Sequence, residues 1–433
     1  MFRLKQTHIS HYEIPMIIGL GMVIFTIPLN HTKSIELIGI IIAFMGWVWH
    51  RSLVGFSSLR ENPLFIPLGL FLTTIIISFF FCLDLENSFK NLYREFLSYT
   101  VLFFIATDLT SNKKNFSILI LLFLTSNIAC NLIYWYQFYL NGFILEKFLN
   151  SFANGEFLSI GKSHGATYFL FASIFAFTAF FHAKTGKEYL VVSVLILSNF
   201  FMLFVADQRG ALVGLLFGLI AHFAFFKEDR KKFLLVSLAV SICAIVFIFS
   251  TPMKTKLIHE DWSKIKNFDF SEDYTRGNDT AQIRVFGVKY FFEYLKAHPF
   301  TGVGYGRKNI KKIEERFQSV EKFDIADAHN VFINMAIFLG VQGLISFLYI
   351  VFVQFKTVWK ANRISSNDIE KYFLKATLLY MIGFYVRVQF SDMYRHGSVF
   401  NFWIIIGMAF GVMHQYQLKK ENQKNAVKVF PNL

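Results

Sequence analysis

The stretch DAHNVFINMAIFLGVQG, residues 327–343, begins with an aspartate, a histidine and an asparagine and then becomes almost wholly apolar. With the apolar residues that follow it, the run is long enough to cross a hydrocarbon core of about 30 Å. Polar groups are costly to bury in lipid, so a polar cluster at the mouth of such a helix indicates a helix cap or a functional site. The segment therefore predicts a membrane span whose polar entrance lies at the membrane boundary.

The whole chain has the composition of an integral membrane protein. Its 433 residues are 55% hydrophobic and include 56 phenylalanines, and the mean hydropathy is +0.46, above that of domains that keep a charged surface. We expect an all-α protein with about twelve transmembrane helices. The apolar runs lie near 13–30, 35–50, 64–82, 92–109, 116–139, 166–182, 189–206, 211–226, 233–250, 330–353, 372–391 and 398–415.

The distribution of lysine and arginine predicts the orientation. Short connections on the N-terminal side carry 20 of these residues and those on the opposite side carry 6, and positive charge is retained in the cytoplasm. Both termini are therefore expected in the cytoplasm. The net charge of +14 then reflects anchoring and attraction to anionic membrane lipids, and it does not indicate nucleic acid as a partner.

These counts divide the chain into four parts. Residues 1–250 are expected to hold spans one to nine, 251–328 a large outer loop, 329–415 the last three spans and 416–433 a cytoplasmic tail. The cysteines all lie in apolar runs without metal-ligand spacing, so neither a disulfide framework nor a zinc site is expected. We expect no metal and no cofactor.

The outer loop is expected to contain amphipathic helices. Residues 281–299 carry apolar side chains at mixed helical spacing and end at Pro299, which indicates a helix lying on the membrane surface. The GVGYG that follows, 302–306, predicts a tight turn because glycine tolerates positive φ. A second, strongly charged helix is expected near 307–322. In the tenth span, Gly340 and Gly343 are expected to allow close helix packing.

Three residues near the predicted outer boundary are the main candidates for chemistry. They are Arg209 in DQRGALVG, Arg284 in the loop helix and His329 at the start of the tenth span. Each has a structural alternative: an interfacial anchor for Arg209, a solvated charge for Arg284, and a helix cap for His329 and Asn330. Their placement on one side of the membrane favours a shared site over three separate structural roles.

The residue types suit a transfer from a lipid diphosphate. Guanidinium groups bind phosphate oxygens bidentately and stay charged at physiological pH. A histidine titrates near neutrality, so it can accept a hydroxyl proton or orient the hydroxyl. Possible further substrate contacts are Asn330, Lys162 and His164 at the outer start of the sixth span, and Arg387 near the outer end of the eleventh. An ion pair at the helix end is the alternative for Arg387.

The motifs resemble those of the O-antigen ligase family and its relatives, the O-antigen polymerases and protein O-oligosaccharyltransferases. The matching stretches are QRGALVG with Arg209, RVFGVKYFFEYLKAHPFTGVGYG with Arg284, and AHNVFINMAIFLGVQG with His329. The twelve spans and the long loop before the tenth also resemble that family. One departure is that Ile337 and Phe338 stand before the LGxxG, where the family often has an acidic residue.

The resemblance implies a C-type membrane glycosyltransferase (GT-C) in the bacterial inner membrane, with a periplasmic active site. It implies metal-independent, inverting transfer of O-antigen polysaccharide from undecaprenyl diphosphate to a sugar hydroxyl of the lipid A core. Arg209 and Arg284 would bind the diphosphate and His329 would activate or orient the acceptor. An O-antigen polymerase or a protein O-oligosaccharyltransferase is the alternative within the superfamily, and a multi-pass transporter is the alternative outside it.

Overall fold

The computed structural model describes residues 10–29, 31–144, 147–148, 162–206, 208–230, 234, 291–310, 312, 328–390 and 397–429, and the regular structure within these ranges is helical. The helices are α1 Glu13–Thr26, α2 Lys33–Val54, α3 Phe65–Ser78, α4 Leu85–Asn91, α5 Ser98–Thr110, α6 Lys113–Leu140, α7 Lys162–His182, α8 Gly186–Val205, α9 Arg209–Phe225, α10 Val331–Ile364, α11 Asp368–Arg387 and α12 Gly397–Val429. Short helical turns add Ser57–Glu61, Leu92–Leu97, Lys227–Asp229 and 291–297.

The helices confirm an all-α, membrane-type fold. Six of those described, α2, α6, α7, α8, α10 and α12, are long and apolar enough to cross a membrane, and α1, α3 and α9 are shorter apolar helices. The predicted span near 233–250 lies, apart from residue 234, outside the described residues, so the count of twelve stays a prediction. A π-helical turn, Leu92–Leu97, opens the fourth predicted span, and α12 continues past residue 415 to Val429.

Successive helices run back and forth, so the bundle has two ends. We call the end at which α9 and α10 begin and α11 finishes the outer end, and the opposite one the inner end. At the inner end, an ion pair of 2.8 Å between Lys184 Nζ and Asp368 Oδ2 joins the α7–α8 connection to the α10–α11 connection. Both connections were predicted to lie on one side of the membrane.

Glycines allow the main helix pairs to approach closely. A Cβ on Gly19 of α1 would lie 2.4 Å from the carbonyl oxygen of Gly39 in α2. Likewise, a Cβ on Gly214 of α9 would lie 2.4 Å from the carbonyl oxygen of Gly383 in α11. Small residues at such crossings bring backbones into contact, which is how helices associate in lipid, where no hydrophobic effect drives packing. The α9–α11 contact fixes the relative height of the two helices.

Helix α10 is broken at Gly340, which has φ of 76° and ψ of −176°. The loop segment 299–304 fills the break: the Val303 and Gly304 amides donate to the carbonyls of residues 337 and 338, each at 3.0 Å. The residue 341 amide donates in turn to the Pro299 carbonyl at 2.8 Å. We call this segment the glycine turn. Irregular backbone at membrane depth is tolerated only where protein satisfies it, and the glycine turn does so.

The break corrects one expectation. A Cβ on Gly340 would meet the backbone of Phe300 at 2.8 Å, so Gly340 makes room for the glycine turn and not for a neighbouring helix. The part of α10 before it, 331–339, is largely buried in protein. The part after it, 341–364, exposes large apolar side chains such as Ile345 and Phe352, as expected of a lipid-facing span.

The residues after the glycine turn are anchored on α4. The Asn309 side chain accepts from the Asp84 amide at 2.6 Å and donates to Ser88 Oγ at 3.0 Å. The pKa of Asp84 is lowered because its carboxylate accepts the Asn87 amide hydrogen bond and lies 3.4 Å from Lys312 Nζ. The glycine turn is therefore held by α10, and the residues that follow it in the outer loop are held by α4.

The inner end holds a buried ion pair. Arg51 of α2 donates two hydrogen bonds to the Asp108 carboxylate of α5, and its Nε lies 2.8 Å from Oδ2. The Trp47 indole donates to the same oxygen at 2.6 Å. Both charges are thus compensated, as burial of charge in a bundle requires.

A second inner-end cluster lies between α9 and α11. Asp229 is hydrogen-bonded to His222, at 3.2 Å, and to Lys375, which is 5% exposed. Burial acts to raise the pKa of Asp229, but the bonds to His222 and Lys375 outweigh it and hold the pKa at about 2. The inner ends of α9 and α11 are thereby tied by charge as well as by glycine packing.

Candidate functional site

The starts of α9 and α10 meet the end of α11 at the outer end of the bundle. The Val331 amide donates to the Val388 carbonyl at 3.1 Å, which links α10 to α11. A Cβ on Gly210 would lie 3.0 Å from Phe390 Cβ and 3.5 Å from the Arg387 carbonyl oxygen, which places the start of α9 against the same turn. We call residues 208–210, 328–331 and 387–390 the outer corner.

Helix α7 reaches the same level. It is antiparallel to α11, because Phe175 contacts Phe373 at a ring distance of 5.7 Å while Phe171 contacts Tyr380 at 5.4 Å. Residue 164 lies as far beyond Phe171 as Arg387 lies beyond Tyr380, about 10 Å along each helix. The backbone of residue 164 is therefore level with Arg387. The predicted contacts Lys162 and His164 therefore begin a helix at the height of the outer corner. Their side chains lie outside what the structure describes.

The two arginines of the outer corner differ in exposure. Arg209 is the first residue of α9 and is exposed. Arg387 is the last residue of α11 and is only 1% exposed, the largest side chain among those fully buried in the described residues. The fold thus places two predicted guanidinium groups in one region, one at the surface and one in the protein interior.

His329 occupies a strained position at the start of α10. Its φ is 49°, a left-handed conformation that costs a non-glycine residue roughly 1–2 kcal/mol. Its neighbours are fixed on both sides: the Ala328 amide donates to buried Asn334 at 2.9 Å, and Asn330 caps the helix. Strain of this kind is retained where the surrounding structure imposes it, often at functional sites. The backbone that carries the half-buried ring is therefore fixed at the mouth of α10.

Asn330 is a helix cap, which is the alternative considered for it from the sequence. Its Oδ1 accepts the amides of Phe332 at 3.0 Å and Ile333 at 3.2 Å. A cap of this kind satisfies amides that have no partner inside the helix. A substrate contact through the rest of its side chain stays a prediction. Arg284 and Asp327 lie outside the described residues.

The described part of the outer corner carries positive charge. Helices α7, α9 and α10 all begin there, and the amino-terminal end of a helix carries partial positive charge. None of their first turns contains an acidic residue. Together with Arg209 and Arg387, these ends favour an anionic group such as a phosphate. Among the described residues, no group of histidine, cysteine or carboxylate side chains is placed to hold a metal ion.

Two features of the site were not foreseen. The sequence predicted a turn at GVGYG, but not that it completes the broken α10. A possible signal was the occurrence of one glycine-rich segment before the tenth span and another, LGVQG, inside it. The bond between Val331 and Val388 was also unforeseen, and no pattern in either helix indicates it.

Residues 191–348 match the model of the O-antigen ligase family. The match confirms the resemblance, and it covers α8, α9, the outer loop, the glycine turn and the first half of α10. The matched stretch is similar to the O-antigen ligase and polymerase group in general. None of the curated proteins compared with the chain matches it.

Proposed function

We propose that this chain is an O-antigen ligase. It would transfer O-antigen polysaccharide from undecaprenyl diphosphate to a sugar hydroxyl of the lipid A core, at the periplasmic face of the bacterial inner membrane. The observation that carries the proposal is the outer corner, where Arg209 and His329 lie at the starts of two helices that both contact α11, and α11 ends in Arg387. The family match over 191–348 supports the same reaction class.

The chemistry needs a cation site and an acceptor site side by side. The acceptor oxygen forms a bond to the anomeric carbon of the donor sugar while the bond from that carbon to the phosphate oxygen breaks. The electron pair leaves with undecaprenyl diphosphate, so negative charge grows on the leaving phosphate. Arg209 and Arg284 stabilise that charge, which acts on the transition state more than on the ground state.

His329 acts on the acceptor hydroxyl. The acceptor hydroxyl loses its proton during attack, and a neutral imidazole accepts that proton or orients the hydroxyl towards the donor. The left-handed backbone of His329 and the hydrogen bonds of Ala328 and Asn330 fix the backbone from which the ring extends. Such positioning of an acceptor beside its donor accounts for a large part of catalysis by proximity.

A transporter would be suggested by a broken helix, because transporters bind substrates at such breaks. In this chain, the glycine turn already satisfies the carbonyls of residues 337 and 338 and the amide of residue 341. The break is therefore occupied by the protein's own backbone, and the observation favours the ligase over the transporter.

The test is the lipopolysaccharide of a strain that lacks the gene. A ligase predicts uncapped lipid A core and long O-antigen chains that remain on undecaprenyl diphosphate, and the wild-type gene restores capping. A core carrying a single repeat unit would replace the ligase with a polymerase. An unchanged profile, with altered glycoproteins, would indicate a protein O-oligosaccharyltransferase.

Site variants test the residues in the same strain. Arg209→Ala and Arg284→Ala should each fail to restore capping while the protein remains in the membrane. Arg363→Ala is the matched control, because Arg363 is also exposed at a helix end but lies at the inner end, over the Trp359 ring. Full capping by Arg209→Ala would remove Arg209 from the donor site.

A further inference from the structure

A pocket at the inner end takes no part in the proposed transfer. It lies between α2, the turn Ser57–Glu61, α5, α10 and α12, and it contains about 450 Å³ of space that atoms do not fill, part of it open to solvent. We call it the inner pocket. We propose that it binds the headgroup of a phospholipid that carries a primary amine beside its phosphate, with the ammonium group held by Glu61 and Asp108. The inference concerns the end of the bundle opposite the outer corner, so it goes beyond the proposed function.

The first support is the charge of the lining. Its charged side chains, apart from a half-buried histidine, His414, are Arg51, Asp108 and Glu61. Arg51 donates to both oxygens of the Asp108 carboxylate, and its Nη1 donates to the Gly55 carbonyl at 3.2 Å. The arginine and one carboxylate therefore cancel, and with the histidine neutral the second carboxylate leaves the lining negative. The inner pocket thus favours a cation, at an end of the bundle that is otherwise rich in lysine and arginine.

The second support is a set of hydrogen-bond donors beside that carboxylate. Asn62 Oδ1 accepts the Leu64 amide at 2.9 Å, and the NH2 group of Asn62 makes no hydrogen bond within the described part of the chain. The exposed Gln417 lines the same pocket and supplies a second amide, and Arg60 is exposed in the turn beside Glu61. Amide and guanidinium groups donate to phosphate oxygens. The inner pocket therefore offers acceptors for an ammonium next to donors for a phosphate, which matches a zwitterionic headgroup.

The third support is the apolar surface next to the inner pocket. Phe56, directly before the turn, is 53% exposed, and Ile66, shortly after it, is 64% exposed. The Phe56 ring lies 6.3 Å from the Trp47 ring, whose indole donates to Asp108 at 2.6 Å. Exposed apolar side chains on a membrane-spanning bundle contact acyl chains. A phospholipid with its headgroup in the pocket would therefore place its chains against this surface, a contact that a soluble amine lacks.

The experiment measures lipid binding and needs no transfer activity. The purified full chain in detergent is titrated with phosphatidylethanolamine, phosphatidylglycerol and phosphatidylcholine, and native mass spectrometry counts the bound lipids. Phosphatidylethanolamine should bind most tightly, because phosphatidylglycerol lacks a cation and the quaternary ammonium of phosphatidylcholine has no N–H to donate. Glu61→Gln should weaken phosphatidylethanolamine binding about fivefold to tenfold and remove the preference, since it deletes a partly exposed, charge-assisted hydrogen bond. Glu61→Asp, which keeps the charge, should retain most of it.

Glu228→Gln is the matched control, because Glu228 is an exposed carboxylate of the inner end that lies outside the inner pocket. It should leave all three affinities unchanged. Wild type is also titrated with N-methylated phosphatidylethanolamine and with free phosphoethanolamine, which tests the inference even if Glu61→Gln fails to fold. Each methyl group should weaken binding, and the free headgroup should bind at least about tenfold more weakly than the lipid.

Three results would each overturn the inference. Equal affinities for phosphatidylethanolamine and phosphatidylglycerol would show that the ammonium group is not recognised. An unchanged preference in Glu61→Gln would place the recognition elsewhere on the protein. Free phosphoethanolamine that binds as tightly as the lipid would make the ligand a soluble amine.

Discussion

Among the described residues, each end of the bundle buries one arginine, and the surroundings of the two differ. At the inner end, Arg51 bonds the Asp108 carboxylate with the Trp47 indole beside it, so its charge is neutralised within the protein. At the outer end, Arg387 is 1% exposed at the turn where α11 ends against the starts of α9 and α10. The comparison teaches that the inner arginine joins two helices through a carboxylate, whereas the outer one is buried beside the residues predicted for the site.

Replacing His329 should have the largest effect. His329→Ala is expected to lower the rate of transfer about 100- to 10,000-fold, because a positioned acid or base contributes that much. The measurement is transfer to lipid A core by purified protein. The matched control is His414→Ala, which alters a half-buried histidine at the inner end and should retain activity. If both variants retain activity, the outer corner loses its catalytic assignment.

Breaking the inner ion pair should damage folding and not chemistry. Asp108→Ala leaves the buried Arg51 charge uncompensated, so we expect a loss of about 3–5 kcal/mol in the free energy of unfolding. The measurement is denaturant unfolding in detergent. The double variant Arg51→Met with Asp108→Leu should recover most of the loss. Lost transfer activity in the folded double variant would erase the distinction between the two ends.

Altering the glycine turn should lower the stability of the protein and displace the start of α10. Gly302→Ala puts a methyl group 2.4 Å from the residue 338 carbonyl oxygen at a φ of 61°. Left-handed strain and overpacking together should cost about 2–4 kcal/mol of stability and misplace the start of α10. Gly69→Ala is the control, because nothing lies within 4 Å of that position in α3. Comparable unfolding temperatures for the two variants would show that the glycine turn is not required.

The smallest effect should come from the exposed ion pair of the inner end. Lys184→Ala removes the partner of Asp368 in a pair whose side chains are 75% and 76% exposed. Exposed pairs of this kind contribute little, so unfolding temperature and activity should not change measurably. A clear fall in stability would mean that the inner end depends on its surface charges as well as on the Arg51 pair.

Much of the fold followed from the sequence, because apolar length and charge bias are properties of continuous segments. The positions of α9, α10 and α11 were predicted in this way, and the polar start of α10 was recognised as either a cap or a site. Contacts between distant segments were not predictable. Neither the completion of α10 by residues 299–304 nor the bond from Val331 to Val388 leaves a periodic signal, since each depends on single backbone atoms.

The same limit applies to the site. Arg209 and His329 were recognised because their residue types suit the chemistry, and the structure places both at the outer corner. The depth of Arg387 was not predictable, because a helix-end arginine that extends to the surface and one that is 1% exposed have the same sequence pattern. The left-handed backbone of His329 likewise depends on the bonds of its neighbours.

The broken α10 also bears on how the protein is made. Residues 331–340 end in carbonyl groups that lipid cannot satisfy, and their partners come from the glycine turn, which is synthesised earlier. The downstream segment 341–364 is long enough to insert alone. We therefore expect insertion and maturation to be separate events: the segment 341–364 enters the bilayer first, and the carbonyls of residues 337 and 338 gain their partners when the glycine turn docks against them.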